Sequence, residues 1–435
     1  MRFSGVLGAT LALATLAGCG MQAPGVSLGK QVATRLGNGT LYIRDGQAQI
    51  LVKRRPGSAA IKSLSTFGVR PMAVGRSLSG LGWQKMSVPA GRVSEALSAL
   101  RGDPAVQAAS PNFVRKAIVP RFADVDVPGI FESLFPGLTA GAVPNDPLFK
   151  KQYAPQLVKA PDAWGASKGS GVVVAVVDTG VDLGHPDLKD HLVGGWNTFA
   201  NSADAKDDHG HGTHCAGIAA ALANNKEGVV GVAPEATIMP VKVLAGDGSG
   251  SDETVAAGIV WAADHGAGVI SLSLGGPGES QVLGEAVAYA LKKGAAVVAA
   301  MGNDGTNEKS YPAAYHGVVA VGATDSKDKV ASFSQWGDWI SVSAPGVSVL
   351  STFPTYHVAM NDYGFPMTYA SLDGTSMATP AVSGAVAIMR SRFKALDPAQ
   401  VKGKLENTTD KVSGQADFDE HYGHGRINVL KALRG

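Results

Sequence analysis

From residue 145 onward the sequence predicts an α/β fold: a doubly wound, mainly parallel sheet with helices on both faces, preceded by a small α+β unit. Three observations predict it. Apolar runs at 171–177, 237–244, 268–274, 295–300 and 318–322 are continuous rather than alternating, as in strands buried on both faces. Helix-length segments, Asp252–His265 and Glu279–Lys293, separate them, the pattern of parallel βαβ units. Residues able to do chemistry cluster just past the runs, at the carboxyl edge where sites lie in such sheets.

The earlier segments differ. Met1-Arg2 and the apolar run Val6–Leu16 have the charge and length of a secretory signal, too short to span a membrane as a mature helix. The signal ends in Leu16-Ala17-Gly18-Cys19, which resembles the lipobox of bacterial lipoproteins and implies lipidation at Cys19. Residues 20–117 read as mixed α+β. A strand at Lys85–Val88 precedes a helix at Gly91–Arg101 with Val93, Leu97 and Leu100 at helical spacing. Residues 118–144 carry prolines at 120, 128, 136 and 144 without periodicity, and read as a linker.

Composition excludes some classes. A net charge of +2 with mixed signs leaves no footprint for nucleic acid and no polybasic membrane patch. With Cys19 lipidated, Cys215 is the single remaining thiol and has no disulfide partner.

Four short stretches carry the chemistry. Val177-Asp178-Thr179-Gly180 puts a carboxylate at the end of the first strand. His211-Gly212-Thr213-His214-Cys215 leads into a small-residue helix at Ile218–Ala223. Gly374-Thr375-Ser376 opens a long helix running to about Phe393, where the first backbone donors lack partners. Pro380 removes the hydrogen bond to the Ser376 carbonyl. Gly302-Asn303 follows a strand and offers a side-chain amide. Together they supply a nucleophile, a base, an orienting carboxylate and two oxyanion donors, the requirements of acyl transfer to serine.

The order Asp, His, Ser differs from that of α/β-hydrolases, and G-x-S-x-G matches around Ser27 and Ser167 fall outside a strand-to-helix turn. Three alternatives compete. A zinc hydrolase on His209, His211 and His214 conflicts with spacing, because His211 and His214 stand at i and i+3 with no glutamate between. A silent binding module requires a damaged site, yet all four residues are present. A cysteine protease fails because i and i+4 places Cys215 beneath His211, facing the core.

Residues 145–435 resemble the subtilisin family of serine proteases, and within it the thermitase branch, through VVDTGVD, HGHGTHCAG, VISLSLGG, Gly302-Asn303 and DGTSMATP. The resemblance implies a secreted serine endopeptidase with Asp178, His211 and Ser376 as triad, and Asn303 with the Ser376 N–H as oxyanion hole. It implies peptide binding as an added strand along Leu244, Gly248-Ser249-Gly250 and Ser273-Leu274-Gly275. Ala300, Gly302, Gly275 and Ser310 then line a small, uncharged first pocket suited to large apolar or neutral P1 side chains. Asp252 stands where relatives often carry an aromatic residue, which favours a basic residue at P4.

The same likeness implies Ca2+ held by Asp146, Asp187, the Asn225 side chain and carbonyls of Glu227, Val229 and Leu222 or Ala223, all hard oxygen donors. The stretch 197–208 has lost acids that a second calcium loop needs, and Asp207 and Asp208 read as a solvated pair. His209 reads as a surface residue and His214 as a structural one under the site. Residues 20–117 resemble the inhibitory prodomain of subtilases, through Ser87–Gly91, Ala96-Leu97, Asp103–Val106 and Ser110–Phe113. This implies a monomeric, self-processed precursor whose own prodomain blocks the cleft, with the cut between 114 and 144 and a lipid anchor on the precursor only.

Overall fold

The computed structural model describes residues 31–74, 76–118, 143–412, 414–415 and 417–434. The expected signal, Cys19 and most of the expected linker lie outside the described residues.

The N-terminal unit is built of β1 (Gln31–Leu36), β2 (Gly39–Arg44), β3 (Gln47–Arg54), β4 (Arg70–Met72), α1 (Arg76–Gly80), β5 (Trp83–Pro89), α2 (Val93–Gly102), β6 (Val106–Pro111) and β7 (Val114–Ala117). Strands β1 to β6 make an antiparallel sheet in the order β1-β2-β3-β5-β4, with β6 also on β3. Alternation in β3 divides its faces. Ile50 and Val52 pack against Val93, Leu97 and Leu100 of α2, while Leu51 joins Leu78 and Trp83 in the core of the larger unit.

That unit begins with two short helices, α3 (Ala154–Leu157) and α4 (Ala160–Ala163), then β8 (Val173–Asp178), β9 (Trp196–Asn197) and α5 (His211–Ala220). There follow β10 (Thr237–Lys242), β11 (Ser249–Ser251), α6 (Asp252–Asp264), β12 (Val269–Leu272), β13 (Leu274–Gly275), α7 (Gln281–Lys292), β14 (Ala296–Ala300) and β15 (Val319–Thr324). The chain closes with β16 (Val342–Pro345), β17 (Val349–Thr352), β18 (Tyr369–Leu372), α8 (Thr375–Arg392), α9 (Pro398–Asn407) and α10 (Val429–Arg434).

The seven-stranded sheet runs β16-β15-β14-β12-β8-β10-β9, every pair parallel. Its strands are apolar on both faces because both are covered. Val174 and Val176 face the cluster with α5 and α8; Ala175 and Val177 face the one with α6 and α7. The doubly wound α/β fold read from the sequence is the observed one. Strand order reverses around β8, the switch point at which such sheets place their sites, and Asp178 ends that strand. One boundary differs: the helix expected at Ile218–Ala223 begins at His211 and ends at Ala220. The HGTHCAG segment is therefore itself helical. Among the described residues no helix is long and apolar enough to cross a membrane.

Candidate active site

The site gathers at the carboxyl edge from three elements. Asp178 closes β8, His211 opens α5, and Ser376 lies in the first turn of α8. All three are fully buried. Nδ1 of His211 lies 2.7 Å from Asp178 Oδ1, which also accepts the Thr179 N–H at 2.7 Å. Burial alone pushes the His211 pKa down, but the Asp178 carboxylate overrides it and holds the imidazole well above its ordinary 6.5. The Ser376 hydroxyl donates to the Ser273 carbonyl at 2.9 Å, and among the described residues His211 Nε2 has no hydrogen-bond partner.

Pro380 lies inside α8, so the Ser376 carbonyl lacks its usual helical donor. Ser273 Oγ takes it at 2.8 Å and Cys215 Sγ at 3.6 Å. The orphan created by the proline is thus used to tie α8 to the junction of β12 and β13 and to α5. Cys215 is buried, 3.9 Å from His211 Nδ1, and desolvation pushes its thiol pKa up.

Asn303 is oriented by the same turn. Its Oδ1 accepts both the N–H and the hydroxyl of Thr375 at 3.0 Å, which turns its amide Nδ2 toward the cleft. Gly374, at φ 145°, leaves that space open; a Cβ there would lie 3.0 Å from both Asn303 Nδ2 and the Ile118 carbonyl oxygen.

The cleft holds the chain's own strand. β7 runs antiparallel between β11 and β13, pairing Gly250 with Arg115 and Gly275 with Lys116. The Ala117 N–H donates to Gly248 at 2.8 Å and the Ile118 N–H to Ser273 at 3.3 Å. Asn303 Nδ2 donates to the Ile118 carbonyl at 3.0 Å. The Ile118 side chain points at Gly275, beside Ser310, so a Cβ on Gly275 would lie 3.2 Å from its Cδ1. Gly302 joins the lining of this cleft. Ala300 is fully buried at the end of β14, where it pairs with Val321. Leu244 lies behind β11, its N–H on the Asp178 carbonyl.

Two loop residues expected at the surface are buried. Asp207 is 1% exposed. Its Oδ1 accepts the Thr179 hydroxyl and the N–H groups of His209 and Gly210, and its Oδ2 accepts the N–H and hydroxyl of Thr213. Three backbone N–H groups around the start of α5 and the hydroxyls of Thr179 and Thr213 thus share one carboxylate, which clamps the Asp178 loop to α5. His209 is 8% exposed, its pKa lowered by burial and by His211. Asp208 is exposed but paired with Lys242 at 2.5 Å. His214 is buried, its Nε2 on the Ala370 carbonyl and its pKa pushed down to about 3 by burial. The three histidines therefore do not converge on a common point.

Asp146 and Asp187 come together near the loop 222–229, both buried. Asp187 Oδ1 accepts the Asn225 amide at 2.8 Å and its Oδ2 the Val229 N–H at 3.0 Å. Asp146 Oδ2 accepts the Asn224 N–H at 2.8 Å; among the described residues its Oδ1 is buried without a partner. Burial first, then the Asp187 charge among smaller influences, raises the Asp146 pKa. Asn224 and Lys226 hold positive φ values of 64° and 67°. Two like charges beside an orphaned oxygen in a strained loop suit a hard cation. The Glu227 N–H donates to Asn225 Oδ1, so Glu227 serves the loop through its backbone.

Asp252, singled out by the sequence, is joined by the fold to Arg115, which the sequence reading did not single out. Arg115 Nε donates to Asp252 Oδ1 at 2.6 Å, both side chains 0% exposed. Around them, Lys53 and the Trp83 indole bond Glu285, Lys85 bonds Glu253, and Tyr42 donates to Ser249. Basic groups of the N-terminal unit thus meet acidic ones of the larger unit. Sequence reading missed Arg115 and Ile118, although Val114, Lys116 and Ile118 alternate with Arg115 and Ala117 as a strand entering the proline-rich run.

The subtilase family model matches residues 169–425. Thermitase of Thermoactinomyces vulgaris is 47% identical over 67% of this chain and 99% of its own length. A thermophilic serine proteinase of Bacillus sp. (strain AK1) is 39% identical over 79% of this chain and 76% of its own, and subtilisin Savinase of Lederbergia lenta 45% identical over 64% and 96%. Among solved structures, fervidolysin from Fervidobacterium pennivorans, a keratinolytic enzyme related to subtilisin, superposes with a TM-score of 0.78 at 31% identity, over 91% of this chain and 62% of its own. With that match, a buried Asp–His pair and a serine at the head of a helix in one parallel-sheet cleft, this chain belongs to the subtilase family of serine endopeptidases.

Proposed function

We propose that Asp178, His211 and Ser376 act as the triad, with Asn303 Nδ2 and the Ser376 N–H as the oxyanion hole. One observation carries the reading: a peptide strand bonded on both edges, with its carbonyl in the reach of Asn303. A turn of the Ser376 hydroxyl from Ser273 to His211 Nε2 readies the nucleophile. His211 takes the proton, Asp178 holds the imidazolium, and the leaving amine receives the proton back. Peptides bind as an added strand between β11 and β13, with broad preference for large apolar or neutral P1 residues against Gly275, Gly302 and Ser310.

We read the unit ending at Ile118 as an inhibitory prodomain, the chain as a secreted, self-processed precursor, and the bond after Ile118 as the cut. Cys19 is the proposed anchor of the precursor, which processing leaves behind. Incubation with a fluorophosphonate in excess calcium is expected to abolish peptide hydrolysis with a single adduct on Ser376. An adduct elsewhere, or activity persisting after full labelling, counts against the triad. The zinc reading fares poorly, since His211 Nδ1 is occupied by Asp178 and His214 by Ala370.

Asp146, Asp187, Asn225 and the carbonyls of Glu227, Val229 and Leu222 or Ala223 are proposed to hold Ca2+, which neutralises two buried carboxylates and sets the loop. EDTA is expected to lower the apparent melting temperature by roughly 3–5 °C, given about 2.7 kcal/mol of linkage at a hundredfold excess over Kd. Asp187→Asn should remove that sensitivity. A melting curve indifferent to EDTA in the unaltered protein sinks the calcium site.

A further inference from the structure

We propose that Asp252 forms the floor of a guanidinium pocket at the fourth subsite, so that the enzyme selects arginine at P4 in outside substrates as it does in its own strand. The proposal rests on the serine-protease reading above. With the Ile118 carbonyl on Asn303, Ile118 is P1, Ala117 P2, Lys116 P3 and Arg115 P4.

The pocket matches a guanidinium donor for donor. Arg115 Nε meets Asp252 Oδ1 at 2.6 Å. Nη1 donates to the Gly276 and Pro277 carbonyls at 2.7 and 3.1 Å, and Nη2 to the Gly278 carbonyl at 2.8 Å. Three carbonyls and one carboxylate, fixed by the turn after β13 and the start of α6, thus receive four of the five N–H groups of a rigid fork. Lysine has three donors at a point and cannot span them. The second carboxylate oxygen accepts the Phe113 N–H at 3.0 Å while the Asp252 N–H donates to the Phe113 carbonyl at 2.8 Å. Asp252 therefore reads the peptide backbone at P6 and the side chain at P4 together.

Its position explains how the carboxylate survives when the strand leaves. Asp252 is the first residue of α6, where the helix N-terminus favours a negative charge. It has no other cationic partner among the described side chains within ion-pair range. Departure of Arg115 leaves a preformed anionic socket walled by carbonyl oxygens, which repels acidic and admits cationic P4 groups.

The test uses enzyme made from the full chain and fluorogenic peptides X-Lys-Ala-Ile, with X as arginine, citrulline, lysine or alanine. Citrulline keeps the shape and loses the charge. Arginine is expected to exceed citrulline and alanine in kcat/KM by about 10- to 100-fold, with lysine between. In Asp252→Asn the arginine-to-citrulline ratio should fall toward one. Hydrolysis of all four peptides at equal rates overturns the pocket while leaving the protease reading intact; Asp252 then only docks the prosegment. Hydrolysis of none of them refutes the protease reading itself. Should Asp252→Asn fail to fold, the wild-type arginine-to-citrulline ratio still decides.

Discussion

Ser376→Ala is expected to abolish casein hydrolysis and leave the precursor uncut, a loss of about 10⁶-fold in turnover, a size taken from nucleophile mutants of subtilisin. The change is small for the fold. It deletes one hydroxyl whose described bond is to the Ser273 carbonyl, worth about 1 kcal/mol. The bonds that anchor α8 use the Ser376 carbonyl, which alanine keeps. Loss of both activities in a protein that melts near the wild-type temperature therefore isolates the chemistry. Persistence of casein hydrolysis and of processing would overturn the assignment.

Asp178→Asn comes second, with an expected loss of about 10⁴-fold. Asp178 Oδ1 accepts from both His211 Nδ1 and the Thr179 N–H. An asparagine that turns its amide nitrogen toward His211 donates to Nδ1 and fixes the tautomer with the proton on Nε2. That nitrogen must be a bare acceptor to activate Ser376. The pH dependence should move as well. Asp178, ahead of Cys215, holds the His211 pKa up against burial, so removing it moves the pKa down. Activity requires neutral imidazole and fails as pH falls through that pKa, so the acid limb of the variant should lie at lower pH than that of the wild type. Following the first-order cut of the precursor on gels between pH 5 and 9 gives both quantities. A rate within tenfold of wild type, or an unmoved acid limb, sinks the orienting role.

The parallel sheet was legible because its strands are continuous apolar runs, which few other environments tolerate. The residues at its carboxyl edge could be picked out because each sits at a strand end or helix start beside small residues. Charge class misled at 207–210. A sequence of acids and histidines looks solvated, but the loop's backbone donors needed a buried acceptor, and Asp207 supplies it. The partnership of Arg115 and Asp252 spans 137 positions and has no local signature. Asp252 alone hinted at a cation, and the cation came from a stretch that composition assigns to the edge of a linker.

A strand held in the middle of a three-stranded sheet by its own chain obeys two kinetic laws in turn. While the chain is whole, β7 meets the cleft at an effective concentration set by covalent connection, and diluting the protein changes nothing. After the proposed cut it becomes an ordinary ligand, whose occupancy falls as the solution thins. One segment would then be a substrate indifferent to dilution and an inhibitor governed by it. Passage from a crowded compartment into open medium would itself switch the enzyme on.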